Sequence, residues 1–290
     1  MSTFTKLYLT TLTAPYTPAT IRGAWNATAS SVTKMLTSVK ESNNDAITTV
    51  AIAETSTTDA WDVLLYRGVS GPLGAQTITG NLNVMLGVIE SNAAANDNWH
   101  IHCYVTQGDS DTPRGDLLTD YTESAGTNEW KATAATNGLA LNAATAMSSL
   151  AISANDRIVV EIGYVARNTS ATSYTGTLNY GTTVSGVAAA DLTASAAGAS
   201  LAGYISFSNA ITEANVTVRL TQAPVRVLRN AATTVNTVRL TQAPVRVLRN
   251  AATSVNNVRL TQASVRVIYN VPTGAKRPNF VGIPFYPLGY

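Results

Sequence analysis

Apolar and polar residues alternate with a period of two over much of the first 213 positions. Ile78, Leu82, Val84, Leu86 and Val88 share one parity, with Asn81 and Asn83 on the other. Trp99, Ile101, Cys103 and Val105 alternate with His100, His102, Tyr104 and Thr106, and Ile158, Val160, Ile162 and Tyr164 with Val159, Glu161 and Val165. This period predicts half-buried strands. Turn-forming clusters separate them at Ser70–Gly74, Ser91–Asn98, Gly108–Gly115 and Asn155–Asp156. Helical patterning is confined to Ser30–Val39 and Ala140–Ser149, with room for a turn or two in each. Seven or more short strands predict an all-β fold for residues 1–213, an antiparallel β-sandwich of jelly-roll type.

Beyond residue 213 the pattern changes to a tandem repeat of period 20. Val218–Asn236 reads VRLTQAPVRVLRNAATTVN, Val238–Asn256 reads VRLTQAPVRVLRNAATSVN, and a shorter third copy, VRLTQASVRVIYN, runs from Val258 to Asn270. A fixed period of this length implies stacked or serial units. In the first copy the apolar pairs Val218/Leu220 and Val225/Val227 have opposite parity across Thr221–Pro224. Proline removes a ladder donor, so two strand pieces joined by a bend are expected. The Asn-Ala-Ala-Thr stretch that follows is a connector. Units this small cannot bury a face alone and need stacking or a partner. Residues 214–270 are therefore read as a C-terminal β-repeat extension of three units. Residues 271–290, rich in proline and carrying Phe280, Phe285, Tyr286 and Tyr290, are read as a docking strap.

Charge sharpens this division. The whole chain has 19 Lys+Arg, 17 Asp+Glu and a formal net charge of +2, and charged residues make up only 12% of it. That is about half the usual fraction of roughly 25%, which excludes a charge-rich disordered chain and a long coiled coil. Residues 1–213 hold nine basic and all 17 acidic residues, a net −8, whereas residues 214–290 hold ten basic and no acidic ones, a net +10. The arginines recur in phase at Arg219, Arg239 and Arg259, at Arg226, Arg246 and Arg266, and at Arg229 and Arg249. Stacked in register they form like-charge ladders, which destabilise unless countered. No carboxylate within the tail can do so. These eight arginines are the expected anion-facing assembly residues, and the counter-charge is expected from the body, a neighbouring subunit or an external anion.

Three stretches of the body carry a resemblance: Ala53–Gly80 (AETSTTDAWDVLLYRGVSGPLGAQTITG), Asn155–Gly181 (NDRIVVEIGYVARNTSATSYTGTLNYG) and Tyr204–Ser208 (YISFS). They resemble jelly-roll or concanavalin-like sandwich domains of tailed-bacteriophage virion structural proteins, and the tail string VRLTQAPVRVL resembles strands that follow such domains. Those proteins usually carry one copy, whereas this chain repeats it. The resemblance implies placement in a virion after synthesis in the host cytoplasm.

Candidate chemistry is sparse. His100 and His102 share a face of one strand and could supply two metal ligands, but Cys103 points the other way and no third ligand follows by spacing. Asp109, Asp111 and Asp116 sit in a loop reminiscent of calcium loops. Counted from Asp109, however, the sixth and twelfth positions are Arg114 and Asp120 rather than Gly and Glu. Glu90, Glu129 and Glu161 are not paired by spacing. There is no G-x-S-x-G, P-loop or H-E-x-x-H. A single cysteine excludes a disulfide scaffold. The expectation is a non-enzyme without cofactor or metal. Among Trp25, Trp61, Trp99 and Trp130, one or two exposed rings are candidates for stacking on sugars.

The expected function is that of a virion accessory protein: a head decoration, head fibre or tail-appendage subunit that assembles through its basic repeats. Its partners are other capsid or tail proteins and itself, with a homo-oligomer expected and a trimer compatible with three repeats. A glycan-binding host-attachment module anchored by the tail is the alternative. Nucleic acid is disfavoured because lysine is nearly absent from the repeats and no aromatic interleaves them. Met1–Pro18 lacks the apolar run of a secretory signal, and no stretch reaches the roughly 18 apolar residues of a membrane helix, so no membrane partner is expected.

Overall fold

The computed structural model describes residues 2–29, 33–40, 48–53, 61–126, 128–132, 137–141, 143–168, 173–180, 191–193, 202–214, 216–220, 226–229, 235–240, 246–249, 255–260, 266–269 and 279–281. The chain divides into two compact units, Thr3–Glu213 and Ala214–Tyr290 together with Met1–Ser2. Their described secondary structure is all β.

The described residues of the first unit hold fifteen strands. They are β1 (Thr3–Thr13), β2 (Ala27–Thr28), β3 (Thr33–Thr37), β4 (Thr48–Ala53), β5 (Trp61–Val69), β6 (Gln76–Ile78), β7 (Asn81–Glu90) and β8 (Asn98–Thr106). There follow β9 (Pro113–Thr122), β10 (Asn137–Ala140), β11 (Thr145–Ala146), β12 (Leu150–Ile152), β13 (Arg157–Ala166), β14 (Thr175–Tyr180) and β15 (Tyr204–Thr212). Strands β3 and β11 occupy stretches where the sequence pattern predicts helical turns, and β10 ends where the second of them begins. Their pairing with β1, β5 and β7 decides the matter, because tertiary pairing outweighs a weak local preference.

One sheet runs β4-β14-β7-β15-β1-β3-β5-β13-β8-β9, with β10 and β11 paired to β7 and β2 to β5; β6 and β12 form a separate pair. The sheet is mixed: β2 and β3 lie parallel to β5, and the remaining pairs are antiparallel. It curls into a half-barrel. Tyr66 on β5 meets Tyr180 on β14, strands far apart in the order, with ring centroids 4.9 Å apart. The enclosed core takes the apolar parity of each strand: Leu82, Val84, Leu86 and Val88 from β7, Trp99, Ile101, Cys103 and Val105 from β8, and Ile158, Val160, Ile162 and Tyr164 from β13. Each fully buried aliphatic side chain contributes about 1.5–3 kcal/mol.

Strands β8 and β13 depart from the half-buried expectation, because every residue of both is buried. Their second face carries His100, His102, Tyr104, Val159 and Glu161, and residues 14–29 run across it. Ala14 and Tyr16 pack with Val69, Tyr104 and Val159, while Trp25 packs with Ala29 and Leu64. A period-two pattern records which residues share a face. It cannot record that a distant segment, irregular but for β2, will cover that face.

The second unit holds β16 (Val216–Leu220), β17 (Arg226–Arg229), β18 (Val235–Leu240), β19 (Arg246–Arg249), β20 (Val255–Leu260), β21 (Arg266–Tyr269) and β22 (Asn279–Val281). These form two parallel sheets, β16-β18-β20-β22 and β17-β19-β21, so each repeat gives one strand to each sheet. The bend at Thr221–Pro224 and the connector at 230–233 lie outside the described residues.

Candidate functional site

In the second unit, the backbone register aligns the repeated arginines. Arg219 pairs with Arg239 and Arg239 with Arg259; Arg226 pairs with Arg246 and Arg246 with Arg266. Arg229 pairs with Arg249, and Arg249 with Tyr269, so the third column ends on an aromatic. Neighbours in register are about 4.7–4.9 Å apart between strands. The eight arginines therefore occupy three columns of like charge, in a segment with no acidic residue. Phe280 is placed opposite Val258, while Phe285, Tyr286 and Tyr290 lie outside the described residues.

In the body, the densest polar constellation lies beneath residues 19–29, on the covered face of β8 and β13. Glu161, fully buried on β13, is its centre. Its carboxylate accepts the backbone N–H of Arg22 at 3.1 Å and of Gly23 at 2.8 Å, and the indole N–H of Trp25 at 2.9 Å. The Trp25 ring stacks on His100 with centroids 4.0 Å apart and an interplanar angle of 26°. Space for the indole exists because Gly163, the cross-strand partner of His100, has no side chain.

The two histidines share the carboxylate of Asp120. His100 Nδ1 lies 2.7 Å from Asp62 Oδ1 and its Nε2 3.3 Å from Asp120 Oδ1. His102 Nδ1 lies 3.1 Å from Asp120 Oδ1, and its Nε2 is 3.4 Å from Asp116 Oδ1. Asp120 reaches this position through a bulge. Leu118 pairs with Cys103 and Tyr121 with Ile101, so Thr119 and Asp120 together stand opposite His102, with Asp120 at φ 38°. Bulges re-aim side chains in this way. Burial alone would raise the Asp120 carboxyl, but the Ala24 N–H and the two histidines outweigh it and hold the group below its ordinary range. Arg22 closes the edge with two hydrogen bonds to Asp116, at 3.1 and 3.2 Å.

This arrangement clamps a segment onto a sheet. It places both histidines on one face, as their spacing predicts, but their neighbours are carboxylates held by backbone donors and by Arg22. Among the described residues no group of three or more His, Cys, Asp or Glu side chains has the geometry to hold a metal ion. Cys103 faces the core, where burial pushes its thiol well above the ordinary range and makes it a poor nucleophile.

The carboxylates of the candidate calcium loop are likewise engaged, and one of them, Asp116, lies on β9. Asp109 pairs with Arg157, Asp111 accepts the Ala19 N–H at 2.6 Å, and Asp116 binds Arg22. Arg114 pairs with the buried Asp156 at 2.8 Å. Of the tryptophans, Trp99 and Trp130 are core residues whose rings meet at 5.1 Å, which removes them as sugar-stacking candidates. Trp25 is committed to Glu161 and His100, and Trp61 is half-buried against the core.

A carboxyl pair invisible in the spacing does form. Glu90, buried at the end of β7, meets Glu129 and accepts the Asp97 N–H at 3.1 Å. Burial raises the Glu90 carboxyl from its ordinary 4.5 to about 7, against the lowering effect of the Asp97 N–H and with help from the charge and hydrogen bond of Glu129. A folded-state value above the unfolded one means that Glu90 stabilises fully below pH about 4.5, and that this contribution is lost as pH rises through about 7. Glu90→Gln, a neutral isostere, is expected to flatten stability across that window and to exceed the parent in urea midpoint at pH about 8. Parallel pH profiles for the two proteins would remove Glu90 as the titrating group.

Spacing in the sequence misses Arg22, Trp25 and the Glu90–Glu129 pair. The one available signal is Glu161 itself, an acid inside the otherwise apolar run Ile158–Ala166, which demands a buried partner. Among the described residues no helix is long and apolar enough to cross a membrane. No protein family and no curated protein matches the chain.

Proposed function

We propose that the chain is a non-enzymatic structural accessory protein of a bacteriophage particle, a head decoration, head fibre or tail-appendage subunit. In this reading the half-barrel is a jelly-roll-like sandwich body and the repeat extension is the assembly element. The observation that carries it is the in-register stacking of the arginine columns in a segment without a single acid. Such columns are repulsive on their own and are relieved by a carboxylate-bearing surface. The net −8 body of a neighbouring subunit, or an acidic capsid or tail protein, supplies one. The virion setting rests on the resemblance of the body and of the tail strands to phage structural proteins.

The test compares the full chain with a Met1–Glu213 truncation for binding to particles lacking the protein. The truncation retains a complete core, since every residue of the main cluster lies between Phe4 and Ile211. It is expected to fold but to lose particle binding, and binding by the full chain is expected to weaken with salt without vanishing, because exposed charge pairs are each worth only about 0–1 kcal/mol. Equal binding by both proteins would overturn the assembly role of the tail. Glycan-array binding by the body with no particle binding by either protein would favour host attachment instead.

A further inference from the structure

A wide bulge separates β15 from β1 in the body. Phe4 pairs with Ile211 and Lys6 with Ser206, so Thr5 alone stands opposite residues 207–210. The bulged stretch is held outward at its middle. Ser208 accepts the Asn81 N–H at 2.8 Å, and Asn209 donates its side-chain amide to the Thr79 carbonyl at 3.2 Å. Ser208, Asn209 and Ala210 are all exposed. Beside the bulge lies an open cavity of about 300 Å³, lined by Phe4, Ala210 and the hydroxyl-bearing Thr3, Thr5, Tyr8 and Ser38. Lys6 completes the lining and brings its only charge. Bulges recur next to active sites because they re-aim side chains and end pairing.

Lys6 is fixed from behind. Its ammonium donates to Asp191 at 2.7 Å and lies 4.2 Å from the centroid of the Tyr204 ring. Asp191 is itself anchored by Lys40 at 2.8 Å and by the Tyr8 hydroxyl at 3.2 Å, so one carboxylate serves two ammonium groups. The hydrogen bond to Asp191 holds Lys6 above its ordinary 10.5 and keeps it charged. An ammonium carries three donors, so Lys6 can meet a further acceptor without releasing Asp191. Ser38 gives its proton to Glu213 at 2.5 Å, which leaves the Ser38 oxygen to accept from a ligand hydroxyl. Neither Asp191 nor Glu213 lines the cavity.

We propose that this cavity binds a small hydroxylated anion, a single sugar-acid unit whose carboxylate meets Lys6. Its volume stands at the lower bound of the roughly 300–1,000 Å³ of small-molecule sites, which suits one ring rather than an oligosaccharide. A lone ammonium in the wall selects an anion, and the absence of a lining carboxylate disfavours a metal cation. The four hydroxyl-bearing residues match a ligand with several OH groups, and Phe4 and Ala210 give its ring carbons apolar surface. The site lies wholly on the body and stands apart from the assembly role of the tail.

The test is an NMR titration of the full chain with glucuronate, and with acetate and glucose as the two halves of its chemistry. Glucuronate is expected to shift the amides of Thr5, Lys6 and Ala210 saturably, and to bind more tightly than either half. Lys6→Met should weaken it by about tenfold or more, the worth of one charge-assisted hydrogen bond. Asp191 keeps Lys40 in this variant. The tail arginines are common to both proteins, so any background attraction cancels. Ala210→Phe fills the cavity from an exposed position without altering charge, and should abolish the shifts while core amides stay in place. No saturable shift at these amides, acetate or glucose binding as tightly as glucuronate, or parental binding in either variant would overturn the inference. The assembly reading fails separately, through equal particle binding by full chain and truncation.

Discussion

Glu161→Ala is expected to release residues 19–29 from the body and to cost on the order of 3–6 kcal/mol, the lower part of the range that about 1–3 kcal/mol for each of three orphaned donors gives, because the donor residues are half-buried. Three such donors converge on this carboxylate, the N–H groups of Arg22 and Gly23 and the indole of Trp25. Glu161 itself is fully buried beneath the half-buried segment, so water cannot replace its carboxylate without lifting the segment. Lifting it also separates Trp25 from His100 and Arg22 from Asp116. The urea midpoint should fall, and trypsin should cut after Arg22 in the variant but not in the parent. Glu161→Gln should lie between the two. Its amide oxygen can take the place of Oε2 and keep Gly23 and Trp25, while its NH2 group then faces the Arg22 N–H. A Glu161→Ala protein with parental stability and no new tryptic cut would show that the segment is held by other contacts.

Gly163→Ala is the second large effect, and it acts through space rather than hydrogen bonding. A Cβ at this position would lie 1.8 Å from the Val63 carbonyl oxygen and 2.9 Å from the Trp25 ring. The oxygen belongs to the paired strand β5, at the register shift where Ile162 faces Tyr66 and Gly163 faces Leu64. Backbone cannot swing aside as the tip of a flexible side chain can, and β13 is buried along its whole length. Overpacking typically costs about 1–3 kcal/mol, and the loss should reach or pass the top of that range. Gly71→Ala serves as the control, because nothing lies within 4 Å of its would-be Cβ. Such a change where the backbone tolerates it is neutral or gains about 0.4–1 kcal/mol. Thermal midpoints within a few degrees of each other for the two variants would contradict the packing described for Gly163.

The clamp and the proposed tail contacts stand in different relation to the sequence. In the tail, period and register are one fact: identical copies stack most simply in register, so Arg219 is placed on Arg239 by identity alone. In the body, the arrangement around Glu161 depends on segments far apart in the chain. Arg22 and Glu161 are separated by 139 positions. Nothing local marks Trp25 as the ring that fills the space above Gly163. The bulge that aims Asp120 at both histidines lies in β9, where Leu117 and Leu118 are adjacent and no alternation marks a strand in the sequence.

The sequence by itself determined the all-β character of the described residues, the apolar parity of β7, β8 and β13, the separation of a net-acidic body from a net-basic tail, and the phase of the arginines. Each follows from composition or from a short period, quantities that survive without knowledge of contacts. Tertiary structure decided that the body sheet curls so that β5 meets β14, that residues 14–29 cover its second face, and that Glu90 meets Glu129. These depend on which distant segments come together, and the free energy of that choice resides in packing and buried hydrogen bonds between residues with no pattern in common.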